Sequence, residues 1–195
     1  MDTTEQGISE DRLTEALDGL RKQISGSLLE PGDQGYEEAR RVWNGMHDLH
    51  PRVIALAGST NDIAPVLAAA RTTGLKLAVR GGGHNVAGHG SVEGGLVLDL
   101  SRLRRVTVDP ATRLVRVEPG ATLADVDRAT AEHSLAVPLG VISATGIAGL
   151  TLGGGVGWLT RSNGLTLDNL QSASVMTASG ESVPASAEDN PDLFW

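Results

Sequence analysis

Three consecutive glycines interrupt this chain directly after an aliphatic run, and neither a helix nor a strand runs comfortably through them. The run Leu75-Lys76-Leu77-Ala78-Val79 reads as a buried strand, and Arg80-Gly81-Gly82-Gly83-His84-Asn85-Val86-Ala87-Gly88 follows it as a tight loop. Without Cβ atoms the loop can take positive φ, and its N–H groups can converge on an anion. His84 stands at the end of this bare backbone. The chain carries 25 glycines in 195 residues, with seven between Gly81 and Gly95 and eight between Gly140 and Gly164. A flexible linker would also be rich in Ser or Pro, so the two windows read as backbone-defined binding loops.

Composition narrows the partners. A formal net charge of -8 weighs against nucleic acid, which calls for a basic face. Aromatics are only 3% of residues, so the core is expected to be built from Leu, Val, Ile and Ala. With no cysteine there is no disulfide, thiolate zinc site or cysteine nucleophile within these residues, which fits a reducing compartment. The start, Met1-Asp2-Thr3-Thr4-Glu5, is acidic with no apolar h-region, and no apolar run reaches the length of a membrane span. These features predict a cytoplasmic protein with no membrane partner.

Along the chain, residues 1–34 read as a helical extension, with Ser9 as cap and Leu13, Ala16, Leu17, Leu20, Ile24 and Leu28 repeating at three and four. Residues 35–195 read as one domain. A helical turn over 36–43 opens it, and from Pro51 the order is strand (53–56), helix (to Thr73, stopped by Gly74) and strand (75–79), the length of a βαβ crossover. Leu96-Val97-Leu98-Asp99-Leu100 is a further strand. Residues 105–109 and 114–118 alternate as a hairpin with one wet face, Thr122 caps a helix to Glu132, and 171–177 pairs with 181–183.

Familiar phosphate motifs fail in both glycine windows. A G-x-G-x-x-G fingerprint meets Val86 or Trp158 at its sixth position, neither window has the lysine of a Walker A loop, and His84 with His89 lacks a third metal ligand. Phosphate capture by backbone amides survives, because it needs only N–H groups and room.

Three ordered motifs carry a resemblance: Arg80-Gly81-Gly82-Gly83-His84-Asn85, then Gly146-Ile147-Ala148-Gly149 with Gly153-Gly154-Gly155-Val156-Gly157, then Gly164-Leu165-Thr166-Leu167-Asp168-Asn169. Over about residues 40–195 the chain resembles the FAD-binding PCMH-type domain of the vanillyl-alcohol oxidase / p-cresol methylhydroxylase flavoproteins, in the berberine-bridge-enzyme-like branch. The resemblance implies an α+β, two-lobed fold, a small lobe with parallel strands and a larger one with antiparallel strands. It implies FAD as cofactor and a flavin-dependent oxidoreductase that passes substrate hydride to flavin N5, with reoxidation by dioxygen or another acceptor.

The resemblance implies cofactor binding by Arg80, Gly81, Gly82, Gly83, His84, Asn85 and Gly88, with Gly81 to Asn85 wrapping the pyrophosphate. Gly140, Thr145, Gly146, Gly149, Gly153, Gly154, Gly155 and Gly157 are expected beside the isoalloxazine and ribityl chain. In relatives the histidine matching His84 is often bonded to the flavin 8α carbon; here His84 either forms that bond or touches the flavin without it. The second, cysteinyl link of some relatives cannot form, since Ile142 stands at the cysteine position. Relatives run on into a substrate-binding domain, so the chain is expected to be an N-terminal portion that meets its small-molecule substrate through that further domain. The alternative is a flavin-binding piece without turnover.

Overall fold

Leu96–Asp99 is apolar at three successive positions, and every residue in it is buried, which places this strand at the centre of a sheet covered on both faces. The computed structural model describes residues 9–195, so the acidic start Met1-Asp2-Thr3-Thr4-Glu5 lies outside the described residues. The elements in order are α1 (Glu10–Gln23), β1 (Ser27–Leu29), α2 (Tyr36–Ala39), β2 (Val53–Leu56), α3 (Ile63–Thr73), β3 (Leu77–Arg80), β4 (Leu96–Asp99), β5 (Val106–Asp109), β6 (Leu114–Val117), α4 (Leu123–Ala131), α5 (Ile147–Leu152), α6 (Thr160–Asn163), β7 (Ser172–Met176), β8 (Ser182–Ser186) and α7 (Pro191–Phe194). Short 3-10 turns over Thr60–Asp62 and Leu167–Asn169 complete them.

The first sheet runs β1-β2-β4-β3, with β2 and β3 both parallel to β4 and β1 antiparallel at the edge. The β2–α3–β3 unit is present, but its strands are not neighbours: β4, which comes later in the chain, lies between them. Strand alternation then sorts the side chains. Val53, Ala55, Leu96 and Leu98 join Leu13, Leu17 and Leu20 of α1 and Val66 and Ala70 of α3 on one face. Ile54, Ala78 and Val97 meet Tyr36 on the other, where the phenol donates to Pro51 O at 2.7 Å. A second lobe follows, in which Leu123, Val126 and Leu139 form a separate cluster with Val106, Val117, Ile147 and Leu150 around the β5–β6 hairpin. The β7–β8 hairpin leans its turn on α3, with Arg71 donating to Ala178 O.

Three sequence expectations shift. The helical repeat expected to reach Leu28 stops at Gln23, and Ser27–Leu29 is a strand instead. Asp62 is the cause: its carboxylate accepts from Ser25 N at 2.9 Å, Gly26 N at 3.0 Å and Gly58 N at 2.8 Å, with the Ser25 and Ser59 hydroxyls at 3.1 and 3.3 Å. Those bonds pull residues 25–26 out of helix and against β2. The turn expected over 36–43 ends at Ala39, because the carbonyls of Ala39 and Arg41 face the Arg80 guanidinium. Strand β8 continues through Pro184 to Ser186, where the expectation stopped at Val183; on this two-stranded edge a missing N–H is tolerated. No helix among the described residues is long and apolar enough to cross a membrane.

Burial raises the pKa of Asp62, but the hydrogen bonds from Ser25, Gly58 and Ser59 outweigh it and hold the carboxyl below its ordinary value. A carboxyl depressed in the folded state contributes stability above its unfolded pKa of about 3.9, and that contribution is lost as pH falls through the folded value. Asp62→Asn is expected to lower the unfolding free energy at pH 7 by about 2 kcal/mol in urea titrations. The difference from wild type should shrink as the pH falls below about 4; a constant difference down to pH 2 would refute this role.

Candidate functional site: the glycine cradle

The loop after β3 is built on the side chain of Arg80. That side chain is 5% exposed and pairs with Asp99, also buried, through Nε at 2.9 Å and Nη2 at 2.6 Å. Nη1 donates to Arg41 O at 3.3 Å, and Nη2 also reaches Ala39 O. Asp99 Oδ1 accepts from Ser101 N at 2.7 Å. Every guanidinium nitrogen is thus engaged inside the protein. Arg80, expected as a cofactor contact, turns its side chain inward: its charge is neutralised by Asp99, and its stem carries the loop. A Cβ at Gly83 would lie 3.5 Å from Arg80 Cδ, and one at Gly90 3.7 Å from Arg80 Cγ.

Gly83 has φ +70, a left-handed conformation in which side chains are strained. From Gly81 through Asn85, five successive backbone N–H groups have no acceptor among the described residues. Runs of unpaired amides can serve as anion-binding concavities. Asn85 shapes the exit of the loop: its side chain accepts from His89 N at 3.0 Å and its carbonyl from Gly88 N at 3.1 Å. Gly88, at φ +80, lies flat against the His47 ring, 2.7 Å from where its Cβ would stand. Ser91 Oγ is buried here without a hydrogen-bond partner among the described residues.

The two glycine windows meet backbone to backbone. A Cβ on Gly82 would stand 2.6 Å from Gly146 Cα, and one on Gly146 2.5 Å from Gly82 N, separations that no real side chain occupies. Thr145 helps hold this join, its carbonyl accepting from Leu123 N at 2.9 Å and its own N–H donating to Ile142 O at 3.0 Å.

Other glycines of the second window serve its own packing. Gly140 has Leu150 against it, Gly155 has Thr166 and Gly157 has the carbonyl of Leu139. Gly154 takes φ +95, and its carbonyl accepts from Leu167 N at 2.9 Å, while Gly153 caps α5. Gly149 differs, since nothing beyond the neighbouring backbone of its own helix lies within 4 Å of the position its Cβ would take. Beside this window Leu152, Val156 and Trp158 are exposed, Trp158 at 86%.

Sequence reasoning missed the segment behind the loop. Trp43 N donates to Gly83 O at 3.0 Å, Asn44 Nδ2 to Val86 O at 2.8 Å, and His47 Nε2 lies 3.0 Å from that same oxygen. The Trp43 indole stacks on the His84 imidazole, ring centroids 5.4 Å apart. A shallow pocket of ≈ 220 Å³ lies here, lined by Trp43, Arg41 and the three glycines among others.

A family model described as an FAD binding domain matches residues 51–186. The chain belongs to this FAD-binding family. It is 36% identical over 172 residues to (R)-6-hydroxynicotine oxidase of Paenarthrobacter nicotinovorans, covering 88% of this chain and 38% of that protein. Among solved structures, BBE-like 1 of Physcomitrella patens superposes with a TM-score of 0.86 at 28% identity, covering 93% of this chain and 39% of that one. Glucooligosaccharide oxidase from Acremonium strictum, which has a 6-S-cysteinyl, 8α-N1-histidyl FAD, superposes at 0.84 with 32% identity, covering 94% and 38%. The chain therefore spans about two fifths of the length of these relatives. The two-lobed α+β expectation agrees with these likenesses.

The Gly82–Gly146 contact leaves no room for one methyl group. Gly146→Ala is expected to cost about 2 kcal/mol of unfolding free energy in urea, as the two lobes separate to admit it. An unchanged midpoint would mean that the windows do not touch in solution.

Proposed function

We propose that this domain binds FAD with its pyrophosphate in the Gly81–Asn85 cradle, as part of a flavin-dependent oxidoreductase. The observation that supports this most is the run of five unpaired amides beside a backbone contact that excludes every side chain. Neutral amide dipoles would hold the diphosphate, since the cation beneath the loop is already matched by Asp99. The orphaned Ser91 hydroxyl adds a further polar group to the same loop. When bound, the flavin supplies hydride acceptance at N5 and reoxidation by dioxygen.

Gly140, Thr145, Gly146 and the 149–157 stretch would border the isoalloxazine and ribityl chain. Gly149 supports this reading, because a helical glycine with open space over it leaves room for something that is not protein. Small-molecule substrate recognition is assigned to a further domain; the support is that relatives are more than twice as long as the stretch they share with this chain. The absence of cysteine fits a cytoplasmic setting.

His84 is assigned as a covalent tether to the flavin 8α carbon, supported by its place at the end of the cradle and by the histidyl FAD of the Acremonium relative. In the net reaction the imidazole N–H and one C–H of the 8α-methyl group are exchanged for a C–N bond. Dioxygen is the oxidant and leaves with both hydrogens as peroxide. The tether fixes the ring and withdraws electrons from it, making the flavin a stronger oxidant.

The visible spectrum of the FAD-treated chain, taken before and after acid precipitation, tests both assignments. A flavin band is expected in the pellet of the wild type and not in that of His84→Ala; yellow colour in the variant's pellet would remove His84 from this role. Gly149→Ala separates fold from ligand. It is expected to raise apo stability by roughly 0.5–1 kcal/mol, as alanine does in helices, while lowering flavin occupancy. Undiminished occupancy would count against a flavin beside α5.

A further inference from the structure

We infer that Trp43 is the positioning residue for His84, its indole setting the plane in which the imidazole meets the flavin. The inference rests on the tether reading above. The two rings lie 5.4 Å apart between centroids with 18° between their planes, a stacked arrangement. Neither imidazole nitrogen has a hydrogen-bond partner among the described residues, so the stack is the contact that orients the ring. Its two nitrogens stay at the ring edge, parallel to the indole and free to react.

The backbone reinforces the stack on both sides. Trp43 N–H binds the carbonyl of Gly83, the residue just before His84. Asn44 and His47, from the same segment, hold the carbonyl of Val86, two residues after it. The segment is itself fixed, because Ala39 O and Arg41 O accept from the buried Arg80. Trp43 is 65% exposed, so it contributes little to the core; its face is used on the histidine. Bond formation by a nucleophile depends steeply on alignment, and a displacement of about 1 Å can cost on the order of 100-fold in rate.

The test compares wild type, Trp43→Ala, Trp43→Phe and His84→Ala with FAD in air, following flavin in the acid pellet against time and total bound flavin before acid. Trp43→Ala is expected to slow attachment roughly 10-fold while total bound flavin stays within about twofold, and Trp43→Phe to restore most of the rate. In the apo chain the His84 ring protons should resonate upfield under the indole ring current and move back in Trp43→Ala. Attachment at the wild-type rate in Trp43→Ala, or unmoved His84 resonances, would overturn the inference with the tether intact. Acid-stable flavin in His84→Ala, or none in the wild type, would overturn the tether itself and this inference with it.

Discussion

The ion pair between Arg80 and Asp99 is the interaction on which the geometry of the cradle hangs. The two residues are in register on β3 and β4, so the strand ladder places them side by side before any side chain is considered. A buried charge left alone would cost several kcal/mol, and here each oxygen of Asp99 and each nitrogen of the guanidinium has a partner. The arrangement joins three separate pieces of chain. It locks the end of β3, it draws the 39–43 segment under the loop, and its methylene stem supports Gly83 and Gly90. Neutralising either partner would leave the other charge unpaired directly beneath the glycine loop.

The glycines around that support divide by cause. At Gly82 and Gly146 the protein's own backbone forbids a side chain, and at Gly83 the sign of φ does. Those positions build the cradle whether or not anything is in it. At Gly149 neither reason applies. The space beside it is open, as it is beside Gly19 in α1, so the fold itself sets no demand for glycine there.

Much of this was readable from the chain itself. The β2, β3 and β4 runs, the two hairpins and the capped helix α4 announce themselves through apolar period, turn residues and caps, because those signals are local. The glycine windows also stood out, since only a backbone constraint explains such clustering. What stayed hidden depends on pairs far apart in sequence. Nothing near Leu28 says that Asp62, thirty-odd residues on, will end the helix at Gln23. Strand order is of the same kind, as β4 enters between β2 and β3 only after both exist. Arg80 stood among the expected cofactor contacts because the resemblance covers it; its burial against Asp99 is a property of the assembled sheet. Trp43 carried no local signal at all.

The clusters of the two lobes also use separate stretches of chain. The small-lobe core draws on residues 13–103, and the cluster of the second lobe on residues 106–150. During synthesis the first can close before the second has left the ribosome, since domains fold in the order in which they emerge. The Gly81–Asn85 loop would then be formed while Gly146 is still untranslated. Assembly becomes a matter of timing: the docking of the late window onto Gly82 is the event that joins the two lobes.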